Sequence, residues 1–300
     1  MNKKLKSYLL ALFAMFLWGS AFPVLKLTYQ AFEIPADDYY SKLFVAGIRF
    51  LLAGILVLIY LIMTRRDLLG QFKTNWKFIS LLGLISTTVN YLFFYIGIGN
   101  TSGIKSAILQ SGSTFLTVIL AVFILKESLT KAKLLAVLVG FLGIIISNLG
   151  QSFDFNFTLT GEGFMLIAAF TGAFGAIYVK KYGQGISSMV MTSGQMIIGS
   201  LVLLILGIWG LPQTPTITLQ GVLLLLYSSL LSALAFSIWY GLLQKHPASE
   251  LSMLRLFIPV FGALLSSLIL GEPFTLYNII GLIFVALGVY IVNKGPSNRK

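Results

Sequence analysis

The chain has 300 residues, of which 57% are hydrophobic and only 10% are charged. A soluble domain usually carries about 45–50% apolar and about 25% charged residues. This imbalance excludes a soluble enzyme and a disordered chain, because so few charges cannot solvate a folded protein of this size. An integral membrane protein remains. The absence of cysteine also excludes disulfides, thiolate catalysis and cysteine-ligated metals.

Continuous apolar runs predict an all-α protein with ten transmembrane helices. Each run is about as long as the roughly 20 residues that a helix needs to cross the bilayer, and none alternates as a barrel strand would. Ten spans leave only short loops and no room for a separate soluble domain. The runs are 8–29, 43–63, 78–99, 104–125, 132–149, 162–180, 187–209, 219–243, 249–270 and 275–293.

The basic residues predict the orientation of the chain. With the N-terminus inside, 16 of the 21 lysines and arginines fall in cytoplasmic segments. Two fall in outer segments, namely Lys42 and Lys105, and three fall within spans, namely Lys26, Arg49 and Arg255. This positive-inside signal places both termini in the cytoplasm and requires an even number of spans. Topology thus explains the net charge of +12, so no nucleic-acid partner is predicted. The predicted location is the cell membrane, of the bacterial inner or plasma-membrane type.

The two halves of the chain resemble each other. A shift of 145 residues relates several distinctive positions, namely Glu127 to Glu272, Gly143 to Gly288, Asn148 to Asn293 and Tyr95 to Tyr240. A shift of 154 relates Lys26 to Lys180, and the difference fits a longer first external loop. We therefore predict two five-helix repeats, 1–150 and 151–300. Because five is odd, the second repeat enters the membrane from the opposite side, as in alternating-access carriers.

Three motifs occur in order along the chain. They are Leu17-Trp18-Gly19-Ser20-Ala21-Phe22 in the first span, the Leu-x-Glu junctions at Glu127 and Glu272, and the glycine-rich spans that follow, with Gly140, Gly143, Gly281 and Gly288. Together they resemble the drug/metabolite transporter superfamily, specifically its EamA-like ten-span exporters. The resemblance covers nearly the whole chain. It implies a basket of spans 1–4 and 6–9 around a central cavity, peripheral spans 5 and 10, and small metabolites as substrates.

Polar residues within spans predict the binding site, because they are costly in lipid and usually face the interior. The two arginines either meet an anionic substrate group or snorkel to the headgroups. Hydroxyls either line the cavity or bond across packed helices. The candidate substrate-binding residues are Trp18, Ser20, Arg49, Asn90, Tyr91, Tyr95, Gln110, Gln195, Trp239, Tyr240 and Arg255.

Two prolines and two glutamates have predicted structural roles. Pro23 and Pro259 are predicted kinks or hinges, since each removes a backbone hydrogen bond. The family that the chain resembles often has a proline in both the fourth and ninth spans, whereas here the counterpart of Pro259 is Thr114. Glu127 and Glu272 are predicted to cap the helices that follow them, through the helix dipole, with a role in gating as the alternative. Lys26 is predicted to snorkel.

These features predict a secondary transporter that moves a small organic metabolite, such as an amino acid, by alternating access. Export is implied by the resemblance alone. A nucleotide-sugar or sugar-phosphate antiporter of the same superfamily is the alternative, although its phosphates would require deep, paired basic residues. A channel is a further alternative.

An enzyme is not predicted, because the chain offers no catalytic or metal-binding constellation and its single His246 lies in a short polar stretch. No cofactor is predicted either, and the phosphate-binding pattern GxxxxGK[ST] is absent. The expected partners are a small-molecule substrate and the lipid bilayer. Small residues in spans 5 and 10, such as Ala136 and Gly281, also allow a homodimer, or simply close packing within one subunit.

Overall fold

A computed structural model describes residues 3–101, 103–149 and 156–294, which are mainly helical and contain no strand, so the predicted all-α class is confirmed. The predicted boundary between 150 and 151 and the side chains of Lys105 and Asn293 lie outside this description. The long helices, labelled α1 to α10, are Lys3–Ala31, Tyr39–Thr64, Trp76–Gly99, Gly103–Leu125, Lys131–Ser147, Leu159–Tyr182, Ser188–Trp209, Leu219–Lys245, Ala248–Leu270 and Leu276–Lys294.

Helix length separates two groups within the described residues. Eight helices, α1 to α4 and α6 to α9, are long and apolar enough to cross a membrane. The other two, α5 and α10, have 17 and 19 residues. At about 1.5 Å per residue they fall slightly short of a hydrocarbon core about 30 Å thick. The crossing of α5 and α10, and hence the count of ten spans, stays a prediction.

Three of the long helices change their winding along their length. A π-helical turn occupies Leu84–Val89 in α3, another opens α6 at Leu159–Gly163, and a 3₁₀ turn occupies Met253–Leu256 in α9. Pro259 accounts for the turn in α9, because it has no N–H to donate to the carbonyl of the residue four positions earlier. Pro23, by contrast, lies inside the continuous helix α1.

The long helices pack in a small number of pairs. Helix α2 packs along α7 and α5 along α10, while α1 packs against α8 and α9, and α6 against α3 and α4. Glycines permit the closest approaches. A Cβ at Gly19 of α1 would lie 2.6 Å from the Phe261 Cβ of α9, and one at Gly143 of α5 would lie 2.7 Å from the Gly281 carbonyl oxygen of α10.

Loop contacts join helix ends that an alternating topology places on one side. The Thr216 hydroxyl donates to Glu33 Oε2 at 2.7 Å, which connects the α7–α8 and α1–α2 loops. The Ser187 N–H donates to Gln71 Oε1 at 2.8 Å, which connects the α6–α7 and α2–α3 loops. Both contacts agree with helices that run up and down in turn, the first pair of loops at one end and the second at the other.

The structure corrects the role predicted for Glu127. Thr130, not Glu127, caps α5, accepting from the Lys133 N–H at 3.2 Å. Glu127 caps α9 instead, with its Oε1 accepting from the Ala248 N–H at 2.8 Å. The prediction was wrong because the cap is formed by a helix from the other half of the chain, which neighbouring sequence does not reveal.

The second glutamate also has an unpredicted partner. Glu272 was expected to cap α10, but its carboxylate forms an ion pair with Lys26 of α1, and both side chains remain partly exposed. Lys26 was expected to snorkel. At the start of α10, the Thr275 N–H donates instead to Asn278 Oδ1 at 2.8 Å.

We expect Gly143→Ala in α5 to lower the thermal unfolding temperature of the detergent-purified protein. The new Cβ would meet the carbonyl oxygen of Gly281, a backbone atom, so the two helices would have to separate. Overpacking of this kind costs about 1–3 kcal/mol. Gly112→Ala in α4 is the matched control, because nothing lies within 4 Å of a Cβ there. Equal effects of the two substitutions would contradict close packing of α5 on α10.

Candidate functional site

A buried hydrogen bond joins α7 and α8. The Tyr240 hydroxyl donates to Gln195 Oε1 at 2.8 Å. Gln195 has no exposed surface, and its Nε2 is buried without a hydrogen-bond partner. Because the amide oxygen is already occupied by Tyr240, the amide nitrogen is the group left to bind something else. Gln195 therefore presents two N–H donors to whatever occupies this region.

Arg255 lies beside this pair, on the 3₁₀ turn of α9. Its guanidinium carbon is 5.9 Å from the centre of the Trp239 ring, and the Tyr91 and Tyr240 hydroxyls are close enough to interact with its charge. Its Nε is buried without a hydrogen-bond partner. An arginine held against an aromatic face with an unused donor is suited to bind a planar anion.

Helix α6 leaves room for the Arg255 guanidinium. A Cβ at Gly172 would lie 3.8 Å from Arg255 Nη2 and 3.2 Å from Asn90 Nδ2. Asn90, directly after the π-helical turn of α3, donates from Nδ2 to the Ala168 carbonyl oxygen at 2.6 Å. This bond fixes α3 to α6 next to the site. Residues from α3, α6, α7, α8 and α9 therefore meet around Arg255.

Aromatic side chains form the surroundings of the site. The Trp18 ring of α1 lies 5.8 Å from the Trp239 ring and 5.1 Å from the Phe236 ring, edge to face in both cases. Tyr91 lies 4.4 Å from Phe50. Such rings offer apolar surface to an organic solute while the few polar groups orient it.

Arg49, the second predicted anion-binding residue, is placed differently. Its Nε donates to the Ser232 hydroxyl at 3.0 Å and to the Ser228 carbonyl oxygen at 3.2 Å. The guanidinium carbon also lies 5.0 Å from the centre of the Phe50 ring. Because its Nε is hydrogen-bonded to α8, Arg49 neither snorkels to the headgroups nor offers a free Nε to a ligand. It joins α2 to α8.

The remaining predicted residues fall into two groups. The Ser20 hydroxyl is used within the protein, since it donates to the Leu17 carbonyl oxygen at 2.8 Å and lies 2.9 Å from the Tyr227 hydroxyl. Gln110 Oε1 is buried without a hydrogen-bond partner, whereas the buried Tyr95 hydroxyl lies close enough to that of Tyr29 to interact with it. The shift of 145 residues relates Gln110 of α4 to Arg255 of α9. The two corresponding positions thus both carry an unused polar atom.

Some buried polar atoms were not among the predicted site residues. The hydroxyls of Ser106 and Thr192 are buried without hydrogen-bond partners, and the buried Tyr29 hydroxyl has only that of Tyr95 close to it. Thr192 precedes Gln195 by three residues on α7, so helical spacing gave a signal for it. Tyr29 and Ser106 gave none, because each lies near the end of a span, where polar residues are common. No cluster of three or more metal-binding side chains occurs among the described residues.

The fold and this site define a multi-pass membrane protein with a polar, aromatic-lined centre. The model of the EamA-like transporter family matches the chain twice, at residues 5–149 and 159–294. The chain belongs to this family. It is accordingly a membrane transporter, as the resemblance in the sequence implied.

Individual relatives agree with this assignment. The chain is 30% identical to the "Uncharacterized transporter YvbV" of Bacillus subtilis, with 99% of this chain and 94% of the relative covered. It is 26% identical to the "Probable amino-acid metabolite efflux pump" of Salmonella typhimurium, with 95% and 94% covered. A crystal structure with 13% sequence identity matches with a TM-score of 0.80 over 95% of this chain and 96% of that chain, which shows a shared fold.

We expect Arg49→Gln and Arg255→Gln to differ in their effect on stability. Arg49→Gln removes hydrogen bonds to α8 and should cost about 1–3 kcal/mol, which lowers the thermal unfolding temperature by several degrees. Arg255→Gln removes a buried donor that has no partner, so the temperature should stay the same or rise. Thermal unfolding in one detergent provides the comparison. An equal loss in both variants would mean that Arg255 has a structural partner.

Proposed function

We propose that this protein is a secondary transporter that carries a small, carboxylate-bearing organic metabolite across the cell membrane by alternating access. The surroundings of Arg255 give this function its main support. This arginine is a cation inside an apolar helix, with an unused Nε and an aromatic face beside it. The cost of placing such a group in a membrane is offset when a substrate anion binds it. The name of the Salmonella relative supports export of an amino-acid metabolite.

The proposed mechanism needs two inverted repeats, 1–150 and 151–300, with ten spans and cytoplasmic termini. The packing pairs support this organisation. If each helix of the first half is exchanged for its counterpart five helices later, the list of packing pairs stays the same. The packing of α1 on α8 and α9 corresponds to that of α6 on α3 and α4, and the α2–α7 and α5–α10 pairs each join a helix to its own counterpart. A pseudo-two-fold axis in the membrane plane produces such a pattern, and with it two related conformations.

The chemistry of the site favours a carboxylate over a phosphate. Arg255 can donate two parallel hydrogen bonds to a carboxylate, and the free Gln195 amide adds a neutral donor. A sugar phosphate carries about two negative charges, yet Arg49 is already engaged by Ser228 and Ser232. The nucleotide-sugar or sugar-phosphate antiporter is therefore the weaker candidate. The Trp18 and Trp239 rings favour a substrate with an apolar part.

The exposed leucines of α5 are proposed to face lipid, and the same holds for the exposed apolar face of α10. Among these residues are Leu135, Leu138, Leu142, Ile283 and Leu287. A homodimer through this face is the alternative.

We expect purified protein in proteoliposomes to show saturable counterflow of at least one labelled amino acid. The test uses a panel of labelled amino acids and nucleosides, because counterflow occurs only when one site alternates between the two sides. Protein-free liposomes with the same internal load are the control. Absence of counterflow across the panel, combined with single-channel currents in a planar bilayer, would replace the carrier by a channel.

We expect Arg255→Gln to weaken binding of the transported amino acid by about tenfold to a hundredfold, the value of a lost charge-assisted hydrogen bond. Gln195→Glu should have a similar effect, because the new carboxylate would compete for Arg255. Both variants should lose their disadvantage with the amide analogue of the substrate, which lacks the negative charge. Inhibition of counterflow by amino acid and amide provides the measurement. Equal weakening for both compounds would remove the carboxylate from the site.

A further inference from the structure

The sequence repeats a glutamate at the end of α4 and α9, but the two copies make different contacts. Glu127, after α4, accepts from the Ala248 and Ser249 N–H groups at 2.8 and 3.2 Å, which caps α9. Glu272, after α9, pairs with Lys26 of α1. Two glutamates at corresponding positions of the sequence thus have different kinds of partner in one structure.

Each half of the chain carries both kinds of glutamate partner at corresponding positions of the sequence. The shift of 154 residues relates Lys26 to Lys180 of α6, and Lys180 lies near enough to Glu127 to interact with its charge. In this structure, however, the Lys180 ammonium donates to the Gln244 carbonyl oxygen at 3.2 Å. The shift of 145 relates Ala248, the capped residue of α9, to Gly103, the first residue of α4. Both halves thus contain a glutamate, a lysine and a helix N-terminus in corresponding positions.

Both partners satisfy a carboxylate, but in different ways. A helix N-terminus offers backbone N–H groups and the positive end of the dipole, whereas a lysine offers one charge on a flexible stem. Around Glu127 the cap is reinforced, because the Lys133 ammonium lies 3.9 Å from Glu127 Oε2 and donates to the Ser249 hydroxyl at 2.9 Å. While Glu127 holds this cap, the Lys180 ammonium donates to Gln244 instead, so capping with Lys180 bound elsewhere and pairing with Lys180 are alternative arrangements.

We propose that Glu127 and Glu272 are the two exchange points of alternating access, an inference that rests on the proposed transport function. On the closed side the glutamate caps the helix N-terminus from the other half, and on the open side it pairs with the lysine. Glu127 in its cap closes the cytoplasmic side by tying α4 to α9. Glu272 on Lys26 marks the outer side as open. The structure is therefore the outward-facing state, and transport exchanges both partners.

The test measures distances between spin labels on both sides of the protein in nanodiscs. Because the natural chain has no cysteine, label pairs can be introduced directly. Leu129→Cys with Lys245→Cys reports the cytoplasmic side, and Asn100→Cys with Leu276→Cys reports the outer side. Three substitutions address single partners. Lys26→Gln removes the ion pair with Glu272 that we assign to the outward-open state. Lys180→Gln removes the ion pair with Glu127 that we assign to the inward-open state. Ser249→Ala weakens the cap that Glu127 forms on α9, without removing a charge.

We expect Lys26→Gln to reduce the outward-open population about two- to fivefold, as befits a partly exposed ion pair. Lys180→Gln should reduce the inward-open population, and Ser249→Ala should increase it. Lys131→Gln, an exposed lysine at the start of α5, is the matched control and should leave both distances unchanged. Shifts in the same direction for Lys26→Gln and Lys180→Gln, or none, would overturn the exchange.

The same preparations separate failure of this inference from failure of the transport proposal. If counterflow of the labelled amino acids persists and two distance populations are seen, but the substitutions do not shift them, only the exchange of glutamate partners is wrong. If each label pair gives one distance in every variant and no compound of the panel shows counterflow, alternating access itself is wrong.

Discussion

A helix in lipid must satisfy its own backbone, and this constraint governs the whole chain. Polar side chains persist in such helices only where another helix or a ligand receives them. Thr88 of α3 donates to the Gly199 carbonyl oxygen of α7 at 2.9 Å, and Ser193 of α7 donates to that of Gly54 in α2 at 2.9 Å. Bonds of this kind join the two halves. Against this background, a buried donor without a partner is a candidate for binding something other than the protein.

The two membrane arginines illustrate how one residue type acquires two roles. Both look alike in sequence, each about two turns into an apolar run. The Nε of Arg49 donates to a hydroxyl and a carbonyl oxygen of α8, and these hydrogen bonds hold α2 and α8 together. Arg255 lies on the 3₁₀ turn that precedes Pro259 in α9. It faces Gly172 of α6, which has no side chain to fill the space beside the guanidinium group. Its Nε stays free, and the Trp239 ring lies beside its guanidinium group.

The family model matches the chain twice, and each half carries a glutamate after its fourth helix. A glutamate, a lysine and a helix N-terminus recur at corresponding places of the sequence. Glu127 nevertheless caps the N-terminus of α9, whereas Glu272 forms an ion pair with Lys26. In the inverted repeat that we propose, the two copies would lie at opposite membrane surfaces, so a local difference in partner would become a difference between the two sides. The free energies of a helix cap and of an exposed ion pair differ little, which would suit the alternating carrier that we propose.

The sequence by itself determined the membrane class, the all-α fold and the approximate helix positions, because lipid imposes apolarity and length on every span separately. It also singled out Gln195, Tyr240 and Arg255 by residue type. It did not determine which polar residues are free, since that depends on the neighbour across each interface. Arg49 and Ser20 proved to be satisfied internally. The helix that Glu127 caps, 121 residues further along the chain, was likewise decided only by the tertiary structure, because one-dimensional spacing carries no record of which helix ends meet.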